Sequence, residues 1–302
     1  MEVLGKSLNF KANPRIVIDT RICYNVSILN FNEIRMIGIF DSGLGGLTVV
    51  KKFQEILPQY QLLYFGDTAR TPYGNRGDEV IKKYAEQDAQ ILIKHGAQII
   101  VVACNTASAI AYDYLRTKFK VPIFEVVTPA VEKAVAMTRN KKIGVIGTRA
   151  TINSGVYEKL IKSASGRTAS QNNIRVWQNS APLLVSLVEE GWLSKPESKM
   201  ILKKYLLPLK TRQIDTLIMA CTHYPFLRQM IQVKIGQRVK LIDPAEEVVI
   251  KIKQYLEQHP DLEKKLPRNN HHQFLVSDLT SRGQNLASQW LGHNVKLEEI
   301  KI

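Results

Sequence analysis

The chain has 302 residues, a formal net charge of +15 and an ordinary apolar fraction of 45%, so it can bury a sizeable core and is expected to divide into two domains; no apolar run approaches the roughly 20 residues of a membrane span. Its three cysteines, Cys23, Cys104 and Cys221, are too sparse for a disulfide framework, point to a reducing cytoplasm and show no zinc-type spacing. Lysine pairs such as Lys51-Lys52 and Lys203-Lys204 are scattered along the chain, so the charge reads as a solvated surface that would attract a small anion, with no specific nucleic-acid site and no membrane partner.

Residues 1–35 show no steady hydrophobic period and lack the parts of a secretory signal, and a mobile extension ahead of Met36 is expected there. Residues 37–40 read as the first strand, 41–46 as its glycine-rich loop and 47–57 as a helix stopped by Pro58. The loop glycines let backbone approach an anion, but neither a dinucleotide fingerprint nor a P-loop is present. Asp41 either caps this turn or, with Ser42, orients a ligand. Residues 61–65 form a second strand. The turn-rich stretch 66–77 that follows, with Tyr73 and Gly74, is longer than a mere connection needs. A helix over 78–95 closed by Gly96, a strand over 98–103 ending at Cys104, and a strand over 121–127 complete the first half. Asn105 and Thr106 can cap the helix after Cys104 and still face a ligand.

From Lys142 the pattern restarts, with a strand at 143–146, a loop at 147–151 and a helix from Thr151. A strand over 174–178 leads to a helix over 182–192. That helix ends with Glu189 and Glu190, where carboxylates oppose the helix dipole and call for a reason. A helix over 196–206 and a strand over 216–220 lead to Cys221. A strand at 241–243, a helix at 245–258, a strand at 273–277, a helix at 280–291 and a closing strand over 294–302 finish the chain. His271-His272 is poor chelating geometry and reads as loop. The fold class is α/β: two similar doubly wound domains related by pseudo-two-fold duplication, with the active site in the cleft between them.

The two halves share one feature of chemical interest. Each presents a cysteine after a buried apolar run, followed by polar residues and a helix-like stretch, so each thiol is expected at a strand's carboxyl end and a helix's amino end. Free helix N–H groups there should lower the thiol pKa modestly. Two opposed thiols, one a base and the other an acid, are what inversion at a carbon atom requires. Cys104 and Cys221 are therefore the candidate pair, and His223 can hydrogen-bond the second thiol or a substrate.

The segments 38–47, 64–69, 72–74, 103–109 and 221–225 together resemble the glutamate racemase family of the aspartate/glutamate racemases, in the family's order from about Met36 onward. The resemblance implies a cofactor-independent racemase that supplies D-glutamate for peptidoglycan. Cys104 and Cys221 would be the catalytic thiols, assisted by Asp41, His223 and a carboxylate at Glu189 or the adjacent Glu190. Asp41, Ser42, Tyr73, Gly74, Asn105, Thr106, Thr222 and His223 match substrate-contact positions. It further implies a first domain of 36–128 completed by 241–302, a second domain of 129–240, L- and D-glutamate as partners, a cell-wall precursor as activator, and a homodimer or monomer. Residues 1–35 have no counterpart in the family. Three rivals stay open at this level: a racemase of aspartate or another amino acid, a cysteine hydrolase built on Cys221 and His223, and a basic nucleic-acid-binding protein.

Overall fold

The computed structural model describes residues 35–165, 173–269 and 271–302. The expected N-terminal extension, apart from Arg35, lies outside the described residues, and Cys23 with it. Ten strands are described: β1 (Met36–Asp41), β2 (Leu62–Gly66), β3 (Ala97–Val102), β4 (Ile123–Glu125), β5 (Lys142–Gly147), β6 (Arg175–Ser180), β7 (Thr216–Ala220), β8 (Lys240–Ile242), β9 (Gln273–Val276) and β10 (Glu298–Glu299). Helices α1 (Leu47–Ile56), α2 (Asp78–Lys94), α3 (Asn105–Lys118) and α4 (Val127–Met137) belong to the first half. The chain continues through α5 (Arg149–Asn153), α6 (Val156–Ser165), α7 (Leu183–Glu189), α8 (Pro196–Thr211), α9 (Arg228–Ile235), α10 (Pro244–Gln258), α11 (Pro260–Glu263) and α12 (Ser281–Leu291).

The strands form a six-stranded sheet, β10-β9-β2-β1-β3-β4, and a four-stranded sheet, β6-β5-β7-β8. Every pairing is parallel. Strands covered on both faces must be apolar throughout, and the alternation along them shows the two layers. Ile37 and Ile39 of β1, Leu62 and Tyr64 of β2, and Ile99 and Val101 of β3 face one core with α1 and α10. Phe40, Leu63, Phe65, Ile100 and Val102 face the other with α2 and α3. In the second sheet Leu217 and Met219 join the first of these cores, while Ile143, Val145 and Ile218 pack on α4 and α6. One apolar layer is thus continuous between the two sheets.

The runs β2-β1-β3-β4 and β6-β5-β7-β8 repeat one order. Where the connections leave a central strand pair in opposite directions, their loops diverge and open a crevice at the strands' carboxyl ends. β1/β3 and β5/β7 are the two such points, and Cys104 and Cys221 follow β3 and β7.

Local chemistry moved several expected boundaries. The strand expected over 121–127 shrinks to β4, because the Glu125 carboxylate accepts the Val127 and Thr128 N–H groups and starts α4 early. The helix expected from Thr151 begins at Arg149, capped by Thr148, and Gly155 at φ +66° separates α5 from α6. The helix expected over 182–192 ends at Glu189 in a reversal through Gly191 at φ +69°, with Gly191 N–H donating to Val188 O and Trp192 N–H to Leu187 O. The closing strand contracts to the two glutamates of β10, a short, charged edge. No helix among the described residues is long and apolar enough to cross a membrane.

Phe53 of α1 is fully buried in the core shared by the two sheets. Phe53→Ala is expected to cost about 3–5 kcal/mol of stability through lost burial and the cavity left behind, read from the shift in a denaturant unfolding midpoint.

Candidate active site

The carboxyl ends of the two sheets meet through polar contacts. Asp41, the last residue of β1, is fully buried. Its Oδ2 accepts the Gly43 N–H at 3.1 Å, and its Oδ1 accepts the Thr222 hydroxyl, from beyond β7, at 3.4 Å. Thr48 Oγ1 also donates across the junction to Thr222 O at 3.2 Å. Burial raises the Asp41 pKa from its ordinary 3.8, against the lowering pull of His223 and its hydrogen bonds. Gly45 is obligatory for this closeness: a Cβ there would stand 2.4 Å from Thr222 Oγ1 and 2.5 Å from His223 Cε1.

Cys104 caps α3. The Ala107 N–H donates to its Sγ at 3.5 Å, and the thiol donates to Ser42 Oγ at 3.5 Å. The expected lowering of this thiol is overturned. Burial first, and the Asp41 carboxylate second, push Cys104 up to about 12, outweighing the Ser42 and Ala107 hydrogen bonds. Cys221 adds, last of the causes, to the same upward push. Beside Cys104, Asn105 Oδ1 accepts from the Tyr157 hydroxyl at 2.6 Å. The Thr106 hydroxyl bonds Thr148 Oγ1 at 2.9 Å and Thr151 Oγ1 at 3.1 Å.

Cys221 departs from its counterpart. It does not cap an α-helix but lies in a tight turn, closed by Tyr224 N–H to Cys221 O, that leads into a 3₁₀ turn over Tyr224–Leu227 and only then into α9. Pro225, which has no N–H to donate, falls in the first turn of that 3₁₀ segment. What Cys221 has in place of a helix end is His223. The imidazole Nδ1 lies 3.9 Å from the sulfur and Nε2 lies 3.0 Å from Glu189 Oε1. Burial opposes the charged ring, but the hydrogen bonds and charges of Cys221 and Glu189 prevail and push His223 up to about 10. The Trp290 ring stands edge-on to the imidazole, with centroids 5.8 Å apart.

The two adjacent glutamates turn to different partners. Glu189 turns inward to His223, while Glu190 turns outward to Arg282. Asp41, Ser42, Cys104, Asn105, Thr106, Cys221, Thr222, His223 and Glu189 therefore lie in one connected array. Gly74 joins it by close approach, since a Cβ there would meet Thr148 Cβ at 2.7 Å. The Tyr73 hydroxyl goes elsewhere: it is buried between the Asp67 and Asp88 carboxylates, and Arg70 bridges both, at 2.6 Å to Asp67 and 3.0 Å to Asp88. Sequence reasoning missed Tyr157, Thr148 and Thr151. The repeat was the available signal for the last two, because the loop 147–151 occupies the place in the second half that 41–46 holds in the first.

A family model described as Asp/Glu/Hydantoin racemase matches residues 45–251. The glutamate racemase of Chlorobaculum tepidum is 41% identical over 273 residues, covering 88% of this chain and 95% of its own. Among solved structures, the glutamate racemase isoform RacE1 of Bacillus anthracis aligns with a TM-score of 0.82 at 33% identity, covering 89% of this chain and 98% of its own. The glutamate racemase of Francisella tularensis in complex with D-glutamate aligns with a TM-score of 0.79 at 36% identity, covering 89% and 98%.

A buried imidazole with a pKa near 10 stays protonated through neutral pH. Its pairing contributes stability that is fully present below the ordinary 6.5 and is lost as pH rises through about 10. Glu189→Gln removes one of the two partners. The His223 midpoint, followed by NMR of the ring carbons, is expected to fall toward its ordinary value.

Proposed function

We propose, from the premise that this chain belongs to the Asp/Glu/hydantoin racemase family and within it to the glutamate racemases, that it interconverts L- and D-glutamate by proton transfer between two thiols. The observation that carries the mechanism is the placement of Cys104 and Cys221 after equivalent strands of two sheets whose carboxyl ends face each other.

In the described state the two halves of the pair are unlike. Cys104 holds its proton, because burial and Asp41 disfavour its thiolate, and so stands as the acid. Cys221 lies beside the His223 ring, which Glu189 holds in place, and this half is assigned the role of base. The Cys221 thiolate takes the α-proton of one enantiomer, and Cys104 returns a proton to the opposite face. The sulfurs exchange protonation states, and the reverse direction runs through the same steps. One proton leaves carbon and one arrives, so the step is balanced and no electrons change hands.

A carbon acid needs its developing negative charge stabilised before deprotonation is feasible. The amino end of α3, the Asn105 amide, the Ser42, Thr106 and Thr222 hydroxyls, and the Gly74 backbone are assigned to the substrate carboxylates. Asp41 is assigned to the substrate ammonium, whose charge would relieve the repulsion Asp41 exerts on a Cys104 thiolate. Tyr73 acts through its main chain, its hydroxyl being engaged by Asp67 and Asp88.

The domain assignment follows the sheets. β1 to β4 with β9 and β10 make one domain and β5 to β8 the other, with the return crossing after Ile242, because β8 pairs with β7. On the strength of the family resemblance, the reading extends to a cytoplasmic homodimer or monomer supplying D-glutamate for peptidoglycan, with a cell-wall precursor as activator.

The test is incubation with L-glutamate in deuterated water, following optical rotation and deuterium at the α-carbon. The wild-type protein is expected to racemise with incorporation. Cys104→Ala and Cys221→Ala are each expected to lose racemisation by roughly 10³-fold or more. A Cys104→Ala protein with undiminished activity would overturn the two-thiol mechanism and leave Cys221 and His223 as a nucleophile–base pair.

A further inference from the structure

Arg282 sits in the first turn of α12, in the segment that follows β9 of the six-stranded sheet, yet its hydrogen bonds go to the end of α7, in the chain of the four-stranded sheet. Its Nη2 donates to the main-chain carbonyl of Glu189 at 2.8 Å and to Glu190 Oε2 at 2.8 Å. The backbone accounting at the end of α7 explains the first contact. The Ser186, Leu187 and Val188 carbonyls accept from Glu190, Trp192 and Gly191 N–H. The next carbonyl, that of Glu189, is one a helix end leaves without an intrahelical donor, and Arg282 supplies it. The guanidinium also sets a positive charge against the negative end of the helix dipole, beside two carboxylates that the dipole disfavours.

Glu189 therefore has two attachments: its carbonyl to Arg282 and its carboxylate to His223 Nε2. The second contact does separate work. Glu190 is an adjacent carboxylate, and Arg282 keeps it on the outer side. A cavity of about 260 Å³ lies beside this end of α7, lined by Leu44, Glu189, Glu190, Thr280, Arg282 and Leu286 among others, so packing does not by itself hold Glu189 there.

We propose that Arg282 is a positioning residue for the reaction: by clasping the α7 end from the other sheet's chain, it selects Glu189 over Glu190 as the partner of His223 and so holds the imidazole against Cys221. The inference rests on the two-thiol reading of the site. The Arg282 and Glu190 side chains are each 56% exposed, so their ion pair adds little to stability, and the residue's effect falls on the site. Both bonds leave from one nitrogen, so a lysine, which also offers several donors on one nitrogen, can replace them.

The titratable groups facing His223 are Cys221 on its own turn, Glu189 from α7 and Asp41 from β1, while α12 presents the Trp290 ring. Losing the placement of Glu189 removes a partner that favours the protonated ring, which moves the alkaline limb of the pH–rate profile to lower pH.

Racemisation of glutamate is measured across pH for wild type, Arg282→Ala and Arg282→Lys, with melting temperatures. Arg282→Ala is expected to lower kcat roughly tenfold, leave KM within about twofold and shift the alkaline limb downward. Its melting temperature should move by no more than about 2 °C. Arg282→Lys should restore both kcat and the limb. Arg282→Ala with wild-type kcat and profile overturns the inference, as does a loss that tracks the melting temperature and is not restored by lysine. A wild-type protein that does not racemise glutamate fails the reading beneath it. A racemising wild type with an unaltered Arg282→Ala fails this inference alone.

Discussion

The imidazole of His223, buried between a sulfur and a carboxylate, is the contact on which the rest of the site depends. A charged ring in a nearly dry place is costly unless anionic partners flank it. Cys221 and Glu189 supply those partners from two different stretches of chain, and the cost of burial is outweighed. Each further feature of this half of the site bears on keeping that geometry: Gly45 leaves room for the ring, Trp290 stands edge-on to it, and the reversal at Gly191 places Glu189 at a helix end.

Duplication gives the site its symmetry in topology, and burial takes it away in chemistry. Both cysteines follow the equivalent strand of a repeated strand order. One then caps an α-helix beside a buried carboxylate, and the other enters a turn beside a basic ring. A neighbouring negative charge favours the thiol, and a neighbouring positive charge favours the thiolate. Two residues of one type are thereby placed in opposite electrostatic surroundings, Cys104 beside a carboxylate and Cys221 beside an imidazole. The sheets are joined at this place by small polar groups, the Thr106, Thr148 and Thr151 hydroxyls and the Thr222–Asp41 contact. Such contacts join the halves through directional bonds near the chemistry, while the shared apolar layer lies behind them.

Much of this was legible in the residues themselves. Apolar runs of strand length, separated by helix-length stretches with glycine and proline at their ends, identify an α/β chain and its repeat. The cysteines announce themselves by ending two of those runs, and the surrounding motifs are specific enough to name a family. Boundaries were less legible where a side chain competes with the backbone, as Glu125 does at α4 and Thr148 at α5. Tyr73 shows the same limit for a site residue. Its loop was recognisable, but only the packed structure reveals that its hydroxyl lies between Asp67 and Asp88.

What the sequence by itself determined is the set of local patterns: the strand-helix alternation, the duplication, the paired cysteines and the polar residues beside them. These follow from periodicity and from chemistry within a few residues of the chain. The tertiary structure alone decided which of two adjacent glutamates meets His223, why Cys104 keeps its proton, and how Arg282 reaches an element far from it in sequence. Those outcomes depend on burial and on distances of a few ångströms between residues remote in the chain. Desolvation and Coulomb energy are set by what surrounds a group in space, and no reading of neighbours along the chain contains that information.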